Sequence, residues 1–225
     1  MFPRPLICLV TDRRRLAARL GLHPDSAETT QHLIALIELA AAADISLVQV
    51  RESDLPAQLL VDLVRRCLDA VRGSNARVMV NDRLDVALAT GAAGVHLKEG
   101  SVPVSRVRGM APRGFLIGES VHDPERAAES EADYVVFGTV FATRSKEPGR
   151  PLAGLAGLRQ AARARVPVLA IGGIDRAGLV EVVQTGAAGI AAVDLFLPTA
   201  PDMVPPVHEI VRFVRQSFDS ARSVP

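Results

Sequence analysis

The feature that most constrains this chain is a regular alternation of short apolar runs with longer segments in which apolar residues have helical spacing. The runs are continuously apolar, which is typical of strands buried on both faces of a parallel sheet. The segments between them, such as residues 30–43 and 55–71, predict amphipathic helices. Strands that alternate with helices indicate consecutive βαβ units. The eight runs are residues 6–11, 45–50, 77–81, 94–97, 115–119, 134–138, 167–173 and 189–193.

A literal repeat favours a closed barrel over an open sheet. The segment TGAAGV at 90–95 recurs as TGAAGI at 185–190, so about half of the eight units separate the two copies. This spacing is typical of two similar half-barrels. A dinucleotide-binding open sheet is disfavoured because no G-x-G-x-x-G follows the first run. We therefore predict a single TIM-barrel domain, (β/α)8, over residues 1–225, with the barrel over about 5–196 and a C-terminal helix over about 205–219.

Composition and charge exclude several classes of protein. Hydrophobic residues make up 48% of the chain and aromatic residues only 4%, so the core must be mainly aliphatic. The net charge of +1, with both signs interspersed, argues against binding to nucleic acid or to a membrane surface, since both need a concentrated basic face. Monomeric and homo-oligomeric states both remain open.

Two cysteines and the hydropathy pattern suggest the compartment. Cys8 and Cys67 lie in apolar surroundings without the spacing of a zinc site or a disulfide framework, which predicts free thiols in a reducing environment. No run approaches the ~18 apolar residues that a membrane-spanning helix needs. From these observations we expect a cytoplasmic protein.

Polar and titratable residues follow nearly every apolar run. In a TIM barrel the carboxyl ends of the strands meet at one face, where active sites lie. A barrel without a ligand would need only one or two such residues as helix caps. The pattern therefore predicts an enzyme-like site. The groups concerned are Thr11 to Arg13, Gln49 to Arg51, Asn81 to Arg83, His96, Lys98, Glu119, Ser120, His122, Thr139, Thr143, Gly172, Gly173 and Asp194.

Five segments together resemble one enzyme superfamily. QVRES, VMVNDRLDVALATGAAGVHL, GESVH, ADYVVFGTVFATRSK and VLAIGGI occur in the order and spacing of the thiamine-phosphate synthase and thiazole tautomerase (TenI-like) superfamily. The similarity extends over about residues 5–196. It implies a (β/α)8 barrel that binds thiazole phosphate, a small-molecule substrate of thiamine biosynthesis.

The resemblance leaves two chemistries open, and the first is thiamine-phosphate synthesis. A synthase joins hydroxymethylpyrimidine diphosphate to thiazole phosphate, and the departing diphosphate needs Mg²⁺ and cationic side chains. Synthases have a Gln-x-Arg-x-Lys strand end, an Asn-Asp pair and a second Asp, and Asp82 would here hold the metal. Ser53 replaces the lysine and Ser101 the second Asp, so both departures remove charge and disfavour a transferase. The matching positions are Gln49, Arg51, Asn81 and Asp82.

The second chemistry is an isomerisation, which these departures favour. A thiazole tautomerase needs one general base and no metal or other cofactor, and a histidine suits neutral pH. In that branch the base lies in a Ser-Val-His segment, here Ser120 to His122. We therefore predict a tautomerase with His122 as base, Asp123 as the N-cap of the next helix and Pro124 as its first residue. His96 is interpreted as a packing residue.

The resemblance also implies a phosphate site after the last three strands. Gly172 and Gly173 would let the backbone approach phosphate oxygens. A loop after the sixth strand would add Thr143, Ser145 and Lys146 as substrate contacts. Asp194 stands where the superfamily usually has a phosphate-binding serine, so either its side chain turns away or the ligand is not this phosphate. These departures keep open a third interpretation, a non-catalytic ligand-binding or regulatory barrel.

Overall fold

A computed structural model of the chain describes residues 5–143, 152–200 and 203–222. Eight parallel strands, each paired with the next and the last with the first, form a closed barrel, which confirms the predicted (β/α)8 fold. The strands are β1 (Leu6–Val10), β2 (Leu47–Val50), β3 (Arg77–Asn81), β4 (Gly94–Leu97), β5 (Leu116–Val121), β6 (Tyr134–Gly138), β7 (Val168–Ile171) and β8 (Gly189–Ala192).

The helices pack around the outside of the barrel. Two of them, α1 and α2, lie between β1 and β2, and a short 3-10 helix, Asp194–Phe196, follows β8. The last helix begins two residues later and ends three residues later than the sequence predicted. The α-helices in the described parts of the chain are α1 (Arg13–Leu20), α2 (Ala27–Ala42), α3 (Ala57–Ala70), α4 (Leu84–Thr90), α5 (Val104–Met110), α6 (Pro124–Glu129), α7 (Gly154–Ala161), α8 (Arg176–Val183) and α9 (Val207–Arg222).

Two apolar layers stabilise this arrangement. The larger lies between the strands and the surrounding helices, and it consists mainly of Val, Leu, Ile and Ala. The smaller fills the inside of the barrel below the strand ends. Gly118 is required there, because a Cβ at that position would lie 2.3 Å from the Tyr134 ring. The inner layer consists of Leu6, Cys8, Val10, Leu47, Met79, Tyr134, Val136, Leu169 and Ala191.

The predicted strand positions hold, with one informative difference. The fifth run was predicted to end at residue 119, but β5 continues to Val121 because it pairs in parallel with β6 over its last four residues. Since side chains alternate along a strand, Glu119 and Ser120 point to opposite faces of the extended strand. Glu119 accepts a hydrogen bond from Ser130 outside the barrel, whereas Ser120 faces its interior. Glu119 is therefore not part of the site.

Both cysteines are free and buried, as predicted. Burial raises the pKa of each thiol to about 12, so neither is reactive at neutral pH.

Among the described residues, no helix has both the length and the apolar character needed to cross a membrane.

Candidate active site

A cavity of about 740 Å³ opens at the carboxyl ends of the strands, and residues in or directly after all eight strands line it. This volume suits a small-molecule ligand. Ser145 and Lys146, with the rest of residues 144–151, lie outside the described residues. The other residues that the superfamily resemblance assigned to the site all line this one cavity: Gln49, Arg51, Asn81, Asp82, Ser120, His122, Thr143, Gly172, Gly173 and Asp194. Of the wider set of strand-end groups, Thr11, Asp12, Arg13, His96 and Glu119 are not among its lining residues.

Asp82 is a carboxylate in the cavity wall that is paired with a lysine. One of its oxygens lies 2.6 Å from Lys98 Nζ, and the other accepts a hydrogen bond from Ser101. Burial alone would raise the pKa of Asp82, but the hydrogen bonds and the Lys98 charge outweigh it and lower the pKa. Asp82 is therefore ionised at neutral pH, with an ammonium group beside it. The sequence listed Lys98 among the strand-end groups but gave no signal for this pairing.

A buried hydrogen-bonded chain forms the floor of the cavity. His96 Nδ1 lies 3.1 Å from the Tyr134 hydroxyl, and His96 Nε2 lies 2.8 Å from Ser120 Oγ. Burial, with a smaller contribution from the Arg51 charge, lowers the pKa of His96 to about 3. The imidazole is thus neutral and satisfied, in keeping with its interpretation as a packing residue. It fixes the position of the Ser120 side chain at the cavity wall.

Arg51 is held at the cavity wall by two residues that directly follow β1. Its backbone N–H donates to Thr11 Oγ1 (3.0 Å), and its guanidinium lies 3.5 Å from an Asp12 carboxylate oxygen. Thr11 in turn donates to the buried carboxylate of Glu52 at 2.7 Å. Burial raises the pKa of Glu52, although hydrogen bonds from Thr11 and the Arg13 backbone oppose the rise. These contacts leave part of the Arg51 guanidinium facing the cavity.

Beneath Arg51, a buried guanidinium links two loops. Arg13 contacts Asp25 and Asp54 at 2.7 Å each and Glu52 at 3.5 Å, and its side chain is only 6% exposed. Such a cluster is stable only while both signs of charge are present. It fixes the start of α1 against the segment that follows β2.

Gln49 and Asn81 complete this side of the cavity. The Gln49 amide donates a hydrogen bond to Asn81 Oδ1 at 2.9 Å, which orients both side chains inward across neighbouring strands. Their remaining amide groups can bind a polar ligand.

His122 lies at the cavity wall, 35% exposed. Its Nδ1 contacts the Gly138 carbonyl oxygen, so this nitrogen donates, and its Nε2 lies 3.7 Å from a Glu99 carboxylate oxygen. Asp123 caps α6 by accepting a hydrogen bond from the Glu125 backbone, and Pro124 is the first residue of α6, as the sequence predicted.

On the opposite side, the backbone after β7 closely approaches the loop after β6. Gly172 and Gly173 have φ of 104° and 63°. A Cβ on Gly172 would lie 2.5 Å from the Thr139 side chain, and one on Gly173 would lie 2.3 Å from the Ala142 carbonyl oxygen. Both the dihedral angles and the lack of space therefore require glycine, and they leave the backbone exposed to the cavity.

Asp194, which stands where a serine was expected, is paired with arginines of α1. Its carboxylate lies 2.5 Å from Arg15 Nη1 and 3.8 Å from Arg19 Nη2. An unpaired carboxylate 4 Å from a phosphate would oppose binding by ~4 kcal/mol at an effective dielectric constant of 20. The two guanidinium groups offset that repulsion. The Asp194 side chain thus lines the cavity rather than turning away, and its pairing with the two arginines weakens the electrostatic objection to a phosphate ligand.

A closed (β/α)8 barrel with polar groups from most of its strand ends around one pocket is typical of the class of TIM-barrel enzymes. Residues 22–196 match the family model described as thiamine monophosphate synthase. The chain belongs to this family, which confirms the superfamily resemblance.

Named relatives and a solved structure agree with the family match. A thiamine-phosphate synthase from Methanoculleus marisnigri is 41% identical over 162 residues, covering 70% of this chain and 77% of the relative. One from Gloeobacter violaceus is 40% identical over 188 residues, covering 80% of this chain but 53% of that longer protein. The structure of thiamine phosphate pyrophosphorylase from Pyrococcus furiosus superposes with a TM-score of 0.76 at 28% identity, covering 96% of each chain.

These comparisons overturn the prediction of a metal-free thiazole tautomerase with His122 as general base. The relatives are named as synthases, and an isomerase is not supported. The prediction was wrong because it inferred a loss of charge at the site from Ser53 and Ser101, which replace charged residues of the synthase motif. In the folded chain, Lys98 brings a positive charge from the end of β4 to the carboxylate of Asp82. A cation can therefore reach the site from a strand other than the one that the motif suggests.

Proposed function

We propose that this protein is a thiamine-phosphate synthase, a transferase that joins hydroxymethylpyrimidine diphosphate to thiazole phosphate and releases diphosphate. The observation on which the proposal depends is the group of Arg51, Asp82 and Lys98 in one cavity, in a chain 41% identical to a protein of that name. Both substrates are small molecules, and the cavity has a separate set of groups for each phosphate-bearing end.

The diphosphate end is assigned to the carboxyl ends of β2, β3 and β4. Negative charge builds on the diphosphate as its bond to the pyrimidine breaks, so fixed cations nearby stabilise the transition state. Arg51 and Lys98 are partly exposed cations in the cavity wall. Gln49 and Asn81, which lie deeper in the cavity, can donate further amide hydrogen bonds to the ligand. We assign these four side chains to binding the diphosphate substrate.

The oxygen groups near Lys98 also fit a magnesium ion. Mg²⁺ prefers oxygen ligands and is usually bound by one or two carboxylates together with substrate phosphates and water. Asp82 offers an ionised carboxylate, and Glu99 lies in the same cavity wall. When bound, Mg²⁺ would neutralise charge on the leaving diphosphate. Ser101 and Lys98 hold the Asp82 carboxylate in place at the end of β3.

The thiazole phosphate is assigned to the opposite end, at the carboxyl ends of β7 and β8. Gly172 and Gly173 leave their backbone open to the cavity. Backbone N–H groups that face a cavity are suitable donors to phosphate oxygens. Ser120 and Thr143, which line the same cavity, can contact the substrate between the two ends.

The experiment that tests the proposal is an assay of diphosphate release from the two substrates with and without Mg²⁺. The wild-type protein should release diphosphate only when Mg²⁺ and both substrates are present, and a chelator should abolish the release. Asp82→Asn keeps the size and the hydrogen bond from Ser101 but removes the charge. It should lower kcat/KM by about a hundredfold or more.

Asp69→Asn is the matched control. Asp69 is 67% exposed and pairs with Arg72, and neither residue is among those that line the described cavity. This variant should keep wild-type activity. Equal activities of the Asp82 and Asp69 variants, or release that is insensitive to the chelator, would refute the assignment. Substrate binding without any turnover would instead favour the non-catalytic barrel.

A further inference from the structure

We propose that Arg15 is the cation that binds the phosphate group of the thiazole substrate, and that Asp194 is the residue that positions it. The inference rests on the proposed function and assigns a binding role to a helix that the sequence pattern did not connect with the site. It also gives a reason for an acidic residue at a place where a phosphate is expected.

Arg15 reaches the cavity from the first turn of α1. Its side chain is 24% exposed, and Arg15 lines the same cavity as Gly172, Gly173 and Asp194. Asp12, the N-cap of α1, accepts a hydrogen bond from the Arg15 backbone N–H at 3.0 Å. Hydrogen bonds therefore hold Arg15 at its backbone as well as at its guanidinium.

Two carboxylates fix the direction of the Arg15 guanidinium. Asp12 Oδ2 lies 3.3 Å from Nε, and Asp194 Oδ2 lies 2.5 Å from Nη1. Within the described parts of the chain, Arg15 Nη2 makes no hydrogen bond or ion pair. A guanidinium has five N–H donors in one plane, so the free edge can bind phosphate oxygens while the other donors stay paired. The arrangement is preorganised, because little side-chain freedom is lost on binding.

The ion pairs around Asp194 carry no excess of negative charge. Among the described residues, Arg15 and Arg19 pair with Asp12 and Asp194, and Arg51 of the diphosphate end also pairs with Asp12, so this group of five side chains, which extends towards both ends, has a net charge of +1. Asp194 alone would repel phosphate. In this group it instead holds a guanidinium beside the backbone that follows β7 and β8.

The test is direct binding of thiazole phosphate and of the unphosphorylated thiazole alcohol, measured by calorimetry. Because Arg15 acts on the phosphate group, Arg15→Met should weaken binding of thiazole phosphate by about tenfold to a hundredfold and leave binding of the alcohol unchanged. Arg15→Lys should restore part of the loss, and Arg15→Gln serves if the methionine variant does not fold. Arg14→Met is the control, since Arg14 is 64% exposed and pairs with Asp54, and neither residue is among those that line the described cavity.

A double-mutant cycle tests the positioning role of Asp194. With Arg15 present, Asp194→Asn should weaken binding of thiazole phosphate, because the guanidinium loses its anchor. In the Arg15→Met background, the same change should strengthen binding, because only the repulsion is removed. Opposite signs in the two backgrounds would support the inference, and a merely structural role of Asp194 would not produce them.

Several results would overturn the inference. Equal affinities of wild type and Arg15→Met for thiazole phosphate would remove Arg15 from the site. Unchanged or tighter binding by Asp194→Asn with Arg15 present would refute the positioning role. Wild-type protein that binds neither thiazole phosphate nor inorganic phosphate would refute both. Binding needs no pyrimidine substrate and no Mg²⁺, so a protein that binds as described but releases no diphosphate would contradict the proposed function alone.

Discussion

Acidification should destabilise the barrel through one buried imidazole, that of His96 inside the strand ends. Burial lowers the pKa of this group to about 3, whereas an unfolded chain would have the ordinary value of 6.5. As the pH falls below the unfolded value, the unfolded chain takes up a proton that the folded protein does not bind. The stabilising contribution is therefore fully present above about pH 6.5 and is lost progressively as the pH falls towards about 3.

The size of the effect follows from this difference in pKa. One proton bound only by the unfolded chain changes the free energy of unfolding by about 1.4 kcal/mol per pH unit. Relative to neutral pH, the loss should be about 1.4 kcal/mol at about pH 5.5 and about 2.7 kcal/mol at about pH 4.5. A loss of this size is a large part of the stability of a typical domain.

The assay is urea unfolding of the wild type and of His96→Asn at a series of pH values. The asparagine amide is neutral throughout this range and can still pair with the Tyr134 hydroxyl, but it is too short to keep the hydrogen bond to Ser120. The variant should be less stable at neutral pH, because it leaves space in the barrel. Its free energy of unfolding should nevertheless fall less steeply with acidity. Between neutral pH and about pH 4.5, the variant should gain about 2.7 kcal/mol of stability relative to the wild type.

The difference between the two proteins isolates His96, because all other titratable groups are common to both. Parallel curves for wild type and variant would refute the reasoning, since they would mean that the imidazole takes up its proton equally in the folded and unfolded states. A variant that became relatively less stable at acid pH would refute even the sign.

Two further predictions concern the framework of the site. Gly173→Ala places a Cβ 2.3 Å from a backbone carbonyl oxygen at a position with positive φ, so it should distort the end of β7. Binding of thiazole phosphate, measured by calorimetry, should therefore weaken. In the control Gly109→Ala, the added Cβ has no atom within 4 Å, so binding should be unchanged. Arg13→Met leaves the buried Glu52 carboxylate without its counter-charge and should cost about 3–5 kcal/mol in urea unfolding, against little for Arg14→Met at an exposed position. Equal effects within either pair would contradict the corresponding argument.

The fold could be predicted from the sequence because its signals are local. Continuous apolar runs mark strands buried on both faces, and each run here coincides with a strand of the barrel. The end of β5 was misplaced because Glu119 and Ser120 are polar, and pairing with the neighbouring β6 outweighs that local signal. The strand boundary is thus set by a partner that the local pattern does not contain.

Most of the candidate site followed from topology. In a closed parallel barrel, residues after every strand converge on one face, so polar residues at the strand ends must lie close together wherever they stand in the chain. This reasoning collected Gln49, Asn81, Asp82 and Gly172 in one cavity. It did not reveal what each side chain pairs with, and the error about the reaction arose there.

By itself, the sequence determined the barrel, the face on which the site lies and many of the residues around it, because hydrophobic pattern and strand order require no knowledge of distant contacts. Only the tertiary structure decided how the charges are paired. Arg15 and Asp194 stand 179 positions apart and meet because β8 closes against β1. Lys98 similarly reaches Asp82 from the next strand along the barrel. Electrostatic interactions depend on distances through space, and a motif read along the chain does not contain those distances.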